Sequence, residues 1–448
     1  MVGFGAIAPI LVLYLELLDF SARQIGLFLS LTLLGDVLVS LVVAWIADRI
    51  GRRKMLALGS AAMAGSGLAF VFARGYGVLL VAATLGVISP SGNEVGPFSS
   101  LETAMLSQLA PAGEPLAQLL PFSRSPSDAS PELLMYYQLL GFLGLALGSV
   151  ASGLIIGNLQ KRLSRVDAYR TVFAAYAAIG VLKIILSVLL TRQTELEKAA
   201  PRDGDVGDVG GSSERESVGE RQPLLPTGPP LRSSVSTPHV EVPTRPVDTP
   251  EPSSASPPPG VPLWRLAVVV ALFAVDAFAS SLTPASYVAL FLERIYRASI
   301  ETVTVVLAGA ALSAVVFSLA TGALTKRVGL VLAMVFSHLP AQLITCGLAF
   351  APSLAVAISL YTARTALSSM DSSIRGALLA AMVPPEARTR LLGIVDVTRT
   401  LVATPGPFVT GRLVEINALR WTFVISGGIK IACDLALLGG FRKARFEH

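Results

Sequence analysis

Asp48-Arg49-Ile50-Gly51-Arg52-Arg53-Lys54 separates two long apolar runs, residues 26–47 and 55–73. Each run is close to the ~20 residues that a helix rising about 1.5 Å per residue needs to cross a hydrocarbon core. A charged heptapeptide between two such runs reads as a tight turn at a membrane surface. Gly51 permits the turn, and Arg49, Arg52, Arg53 and Lys54 stay among anionic headgroups on one face of the bilayer. A degraded copy, Lys326-Arg327-Val328-Gly329, follows another apolar run 278 residues later. Two related membrane-embedded halves are therefore expected.

Working outward, 53% of the 448 residues are hydrophobic and 15% are charged, against about a quarter charged in a soluble protein. Other apolar runs, such as residues 168–190 and 330–351, are too long for buried strands and lack the alternation of a membrane barrel. Twelve spans can be placed, at residues 2–17, 26–47, 55–73, 77–98, 135–157 and 168–190, then at 264–291, 302–325, 330–350, 353–383, 391–415 and 420–440. The expected fold is an all-α membrane protein with twelve transmembrane helices in two pseudo-symmetric six-helix bundles. The first span is short and has no basic leader before it, so the chain is expected to start late, with part of that span missing.

The bundles are expected over residues 1–190 and 263–440, with a tail at 441–448. Between the bundles, residues 191–262 are rich in Pro, Ser, Gly and charge and poor in aromatics. Such a segment cannot bury enough apolar surface to fold and is expected to be a disordered cytoplasmic linker. Within it, Thr237-Pro238 and Thr249-Pro250 suit proline-directed phosphorylation, and Glu220 with Leu224-Leu225 fits an acidic dileucine address. The membrane stays open between plasma and vacuolar or endosomal. Residues 111–131, rich in Pro and Ser, read as an unstructured insertion before the fifth span.

More landmarks recur in order. Asn93 in the fourth span meets Asp371 in the tenth. Gly148 and Gly153 correspond to Gly406 and Gly411, and Arg170, Phe173 and Lys183 to Arg420, Phe423 and Lys430. Duplicated halves with equal helix numbers imply a pseudo-twofold axis along the membrane normal and a path between the halves.

Several classes fall away. Cys346 and Cys433 lie inside spans, and His239, His338 and His448 are far apart, so neither a disulfide nor a metal site is expected. A net charge of +5 and a pI near 9.3 reflect basic membrane-flanking loops, not a nucleic-acid footprint. No phosphate-binding loop or nucleophile with a base is found, so neither an ATP-driven pump nor an enzyme is expected, and no cofactor.

Charges at helix-centre depth cost roughly 2.5–3.5 kcal/mol each on insertion scales and mark function or pairing. Three pairs can form within one helix: Asp371 with Arg375 and Lys430 with Asp434 at i, i+4, and Asp396 with Arg399 at i, i+3. Arg364 lies seven residues before Asp371, which gives the tenth span an Arg-Asp-Arg stripe. Asp36, Glu94, Lys183 and Asp276 have no oppositely charged neighbour on their own helix, so their partners come from other helices or from a solute. Gly141, Gly144 and Gly148 form a small-residue face for close packing, and Pro405-Gly406-Pro407 bends the eleventh span.

Asp48-Arg49-Ile50-Gly51-Arg52-Arg53, the twelve spans, the long linker and the second copy of the loop together resemble the major facilitator superfamily. The family's leading glycine is replaced by Ala44. The resemblance implies a conformational latch at Asp48, Arg49, Gly51 and Arg52, with both termini and the linker inside. It also implies that helices 1, 4, 7 and 10 line a central path, which places Asn93, Glu94, Asp276, Arg364, Asp371 and Arg375 in a substrate or proton pathway. Asp36, Lys183, Asp396, Arg399, Lys430 and Asp434 become supporting intramembrane charges. Ser89 to Phe98 and Ser337-His338-Leu339-Pro340 resemble an uncharacterised fungal branch.

The function expected is secondary transport of a small solute by alternating access, by a monomer in the lipid bilayer. Glu94 or Asp276 could carry a coupled proton, and Arg364 and Arg375 point weakly to an anionic solute. The alternative is a non-transporting membrane sensor or scaffold with a transporter fold.

Overall fold

The computed structural model describes residues 1–86, 88, 102, 129–189, 263–371, 374, 375, 378 and 385–441, and among these every regular element is an α-helix. The first half contains α1 (Val2–Ile7), α2 (Leu11–Leu17), α3 (Ala22–Ile50), α4 (Arg52–Phe72), α5 (Tyr76–Leu85), α6 (Ala129–Leu159) and α7 (Arg165–Leu189). The second contains α8 (Leu263–Ser281), α9 (Ala285–Tyr296), α10 (Ile300–Val328), α11 (Leu330–Leu348), α12 (Leu354–Ser369), α13 (Pro385–Ala403), α14 (Gly406–Glu415) and α15 (Trp421–Phe441). Among the described residues, seven segments are long and apolar enough to cross a membrane by length and composition. The linker 191–262, the tail 442–448 and most of the 111–131 insertion lie outside the described residues, while 129–131 open α6.

The helices outrun the apolar runs that announce them. The run 26–47 becomes Ala22–Ile50, and 135–157 becomes Ala129–Leu159. Hydrocarbon offers no partner for an open backbone group, so the helix continues until it reaches polar surroundings. In contrast to the unbroken spans expected at 2–17 and 264–291, the first and seventh each divide in two, α1/α2 at Ala8–Ile10 and α8/α9 at Leu282–Pro284. Pro9 and Pro284 cause both breaks, because proline has no N–H for the helical ladder. The eleventh span divides at the expected Pro405-Gly406-Pro407, whereas Pro340 sits inside α11 without ending it.

The surface is apolar and much of the interior is not. Phe72, Trp45, Leu140 and Leu147 are more than 60% exposed, while Asp276, Asp371, Arg375, Lys430 and Asp434 are buried. This distribution suits a chain solvated by lipid.

The internal repeat is visible in the backbone. Gly51 joins α3 to α4 with φ 99°, and Gly329 joins α10 to α11 with φ 82°. Only glycine takes that region readily, so the motif keeps its turn even where Lys326 has replaced Asp48. Tyr14 packs on Phe173 with ring centroids 4.8 Å apart, and at the matching place Phe291 packs on Phe423 at 4.6 Å. Arg53, read as a headgroup contact, instead donates from Nη2 to the backbone oxygen of Val188 at 2.7 Å near the C-terminal end of α7. A cation there meets the negative end of the helix dipole.

Contacts between the halves also come in matched pairs. α6 meets α10 where Ser149 Oγ donates to the Thr304 carbonyl at 2.9 Å, and a β-carbon at Gly153 would collide with Thr304. α14 meets α3 where the Phe408 N–H donates to Ser30 Oγ at 3.0 Å and Gly411 lies against Gly26. Glu16 and Arg294 bridge α2 to α9 at 2.7 Å. All of these contacts lie at the end of the helices away from Gly51 and Gly329. Gly148, in turn, lets α6 approach α1 so closely that a β-carbon would strike the Val2 carbonyl, the packing role expected of the small-residue face.

Candidate functional site

One to two turns inward from those contacts, a cavity of about 680 Å³ opens between the halves. The proline breaks shape part of its wall, since Ala8, Pro9, Thr283 and Pro284 all line it. The first half contributes mainly small and apolar side chains such as Gly5, Leu33, Phe142 and Leu145, while Asp276, His338, Arg364, Asp371, Arg375 and Lys430 come from the second.

Asp276 of α8 is the hub. Its Oδ2 lies 3.0 Å from Arg375 Nη2, and its Oδ1 lies 3.7 Å from both Lys430 Nζ and His338 Nε2. Arg375 also pairs with Asp371, four residues earlier. On the other ring face His338 Nδ1 lies 2.8 and 3.0 Å from the two Asp434 oxygens. Asp371, Arg375, Asp276, Lys430, His338 and Asp434 thus form one connected chain of buried ionisable groups drawn from three helices and the residues after α12. Phe273 lies under the Arg375 guanidinium at 4.8 Å and holds it in place.

Arg364 is bound differently. Its Nε donates to Thr345 Oγ1 at 3.2 Å and its guanidinium sits 5.9 Å from the Tyr361 ring centroid. Among the described residues no carboxylate lies within ion-pair distance of it.

The cavity gathers Asp276, Arg364, Asp371 and Arg375. It also gathers Lys430, whose place was read as merely supporting. The local Lys430–Asp434 pair does not form; Lys430 reaches across to Asp276 and Asp434 holds His338. Neighbours on one helix lose here to neighbours across the α11–α15 packing, because both side chains point into the bundle, where better-placed partners wait. Asp396 and Arg399 do pair, at 3.7 Å, at the rim, where the Asp396 side chain is 74% exposed. Lys183 pairs with Glu102 at 3.5 Å and its side chain is 43% exposed. Asp36 is buried on α3. Asn93 and Glu94, and the side chains of Asp48, Arg49 and Arg52, lie outside the described residues.

His338 is the residue that sequence reasoning missed. A lone histidine without a second ligand nearby carries no metal signal, and α11 is not among the helices assigned to the path. Its place between two aspartates exists only in the tertiary structure.

The chain matches the Major Facilitator Superfamily over residues 1–363 and over 269–445. It is 29% identical over 442 residues to the uncharacterized membrane protein YJR124C of Saccharomyces cerevisiae, covering 98% of this chain and 90% of that one. Among solved structures it resembles a D-xylose-proton symporter, with a TM-score of 0.66, 13% identity and coverage of 97% and 94% of the two chains. It also resembles a bacterial homolog of the human lysosomal transporter Spinster in an inward-facing, occupied conformation, with a TM-score of 0.66, 14% identity and coverage of 99% and 94%. For the nucleoside transporter NupG the values are 0.61, 12%, 99% and 97%. These likenesses share the fold, and the match along the chain makes this protein a multi-pass membrane member of the major facilitator superfamily of transporters.

Proposed function

We propose that the protein is a secondary active transporter that moves a small solute by alternating access and couples it to a proton. One observation carries the reading: a cavity between the halves, behind a closed end, is lined by five members of a connected chain of six buried ionisable groups. Taking each charge out of water is costly, and an apolar packing of the same volume serves a scaffold as well or better. A site that must bind and release a charged species has a use for such groups. The cavity volume falls within the range of small-molecule sites, ~300–1,000 Å³.

In this reading residues 1–190 and 263–440 rock as two bundles, and the paired contacts at Ser149/Thr304 and Ser30/Phe408 close the outer end. Asp48, Arg49, Gly51 and Arg52 latch the inner end in the opposite state. The proton resides on His338. With a carboxylate facing each ring nitrogen, Asp434 within hydrogen-bond distance of Nδ1 and Asp276 3.7 Å from Nε2, the imidazolium gains the hydrogen bond to one and the attraction of both, whereas the neutral ring keeps only the hydrogen bond. Asp276, held by Arg375 and Lys430 as well, is the counter-charge that faces the protonated ring.

Proteoliposomes with a trapped pH dye test this. A solute drawn from sugars, nucleosides and carboxylates is expected to drive proton movement, and His338→Gln and Asp276→Asn should abolish it. Coupling undiminished in these two variants and in Glu94→Gln would overturn the proton reading. A disulfide between Ser149→Cys and Thr304→Cys should stop uptake reversibly; uptake that continues through the closed disulfide would overturn alternating access.

A further inference from the structure

Count the charges that meet in the cavity. Four cations, Arg364, Arg375, Arg399 and Lys430, and three carboxylates, Asp276, Asp371 and Asp396, line it, and a fourth carboxylate, Asp434, stands behind His338. With His338 neutral the described set balances. The balance is uneven in space, however. Arg399 has Asp396, and Arg375 and Lys430 share Asp276 and Asp371. That leaves Asp434 with only His338, and Arg364 with no carboxylate within ion-pair distance among the described residues. The set carries a displaced pair: one cation facing the cavity and one acid at its back.

Arg364 is prepared for an oxyanion. Nε is spent on Thr345 Oγ1, which fixes the plane of the guanidinium, and the terminal nitrogens have no hydrogen bond to a described residue. One turn further along α12, Ser368 also lines the cavity, and its buried hydroxyl has no hydrogen-bond partner. Residues four apart share a helix face. A planar guanidinium fork and an unpartnered hydroxyl on one face suit a carboxylate, which takes two donors from arginine and a third from serine. A buried hydroxyl left without a partner is costly, so a ligand oxygen that accepts from it gains a hydrogen bond at little competing cost.

We infer that the solute is a small organic monocarboxylate, received by Arg364 and Ser368, and that one proton on His338 enters with it. The inference rests on the transport reading above and adds the substrate class. When the carboxylate neutralises Arg364, the described charges sum to minus one unless His338 takes a proton. Anion and proton therefore favour each other's binding, as linkage requires. Among the described residues, the charged and titratable groups that line the cavity with His338 are Asp276 of α8, Tyr361 and Arg364 of α12, Asp371 and Arg375 beyond it, Asp396 and Arg399 of α13 and Lys430 of α15, with Cys433 and Asp434 of α15 nearby, while α10 offers the cavity only apolar side chains such as Leu307 and Ala311. A dianion would need a second unmatched cation, which the described residues do not supply.

The test uses the full-length protein in detergent, with thermal melts at pH 6.0 and 8.0 against lactate, benzoate, succinate, methyl phosphate, glucose, uridine and choline. Lactate or benzoate should raise the melting temperature, more at pH 6.0 than at pH 8.0, and binding in weak buffer should take up about one proton per anion. Arg364→Gln should weaken that binding roughly 10- to 100-fold, the value of a charge-assisted pair. Arg364→Lys, which keeps the charge and guards against a folding artefact, should retain part of it. His338→Gln should bind without proton uptake. The inference is overturned if both monocarboxylates leave the wild-type melt unmoved, if a neutral, cationic or phosphate solute is the one that stabilises, or if Arg364→Gln binds as wild type. None of these results touches alternating access, which the disulfide at positions 149 and 304 decides.

Discussion

Lys183 and Lys430 hold matching places on the last span of each half, and the two halves have put them to different uses. Lys183 is 43% exposed and makes a 3.5 Å pair with Glu102; Lys430 is 7% exposed and shares Asp276 with Arg375 and His338. The aromatic pair one landmark earlier, Tyr14–Phe173 or Phe291–Phe423, is nearly the same in both. Duplication has thus kept the packing frame and released the charges. Among the described residues the second half concentrates them around the cavity and the first presents a mainly apolar wall, an arrangement in which charges on one side can change without disturbing the frame that both sides share.

The sharpest way to break this contrast is to truncate the lysines. Lys430→Ala leaves Asp276 and its neighbours with an uncompensated buried charge and should cost about 3–5 kcal/mol, the range for breaking one partner of a buried pair. Lys183→Ala, at a half-exposed pair, should cost about 0–1 kcal/mol. Denaturation of the purified variants in detergent measures both. Equal losses would mean that the two sites are energetically alike and that the division between halves is only geometric.

Where the halves agree, equal effects are expected. Gly51→Val and Gly329→Val each place a side chain at φ 99° or 82° with extended ψ, a region close to glycine-only, at about 1–3 kcal/mol apiece. Equal destabilisation in the same assay would show that the loop survives as a backbone device after its acidic residue is lost. An unaffected Gly329→Val would show instead that the second copy is a remnant.

How far such features can be read from sequence follows the same division. The spans, the repeat and the bend at Pro405-Gly406-Pro407 are legible, because a bilayer forces every backbone group into a helix and so writes long apolar runs into the chain. Asp371–Arg375 is legible too, since an i, i+4 pair needs only its own helix. Lys430 and Asp434 have the same spacing and go elsewhere, since spacing sets reach but not the competition from α8 and α11. His338 has no partner within its own helix at all. Its two aspartates lie 62 residues upstream and 96 residues downstream in the chain, a distance that local pattern does not span. The breaks at Pro9 and Pro284 have a signal, proline within an apolar run. Pro340, which α11 passes through, shows why that signal alone does not decide.

The smallest contrast lies in the outer contacts, which look equivalent and should not be. Ser30 receives the Phe408 N–H in the first turn of α14, where a helix has no internal acceptor to offer. Ser149 instead donates to the Thr304 carbonyl in the second turn of α10, which keeps its own helical partner. Ser30→Ala thus strands a donor, at about 1–3 kcal/mol, while Ser149→Ala forfeits one supplementary bond, at about 0.5–1 kcal/mol. If these contacts hold the outer end shut, the losses convert directly into population. Ser30→Ala should raise the outer-open fraction by roughly 5- to 150-fold, and Ser149→Ala by roughly 2- to 5-fold. The readout is the rate at which an impermeant maleimide labels Ser281→Cys, a cavity residue, from the outer side, with Cys346 and Cys433 replaced by serine. Labelling that rises more for Ser149→Ala than for Ser30→Ala would reverse the ranking of the two closing contacts.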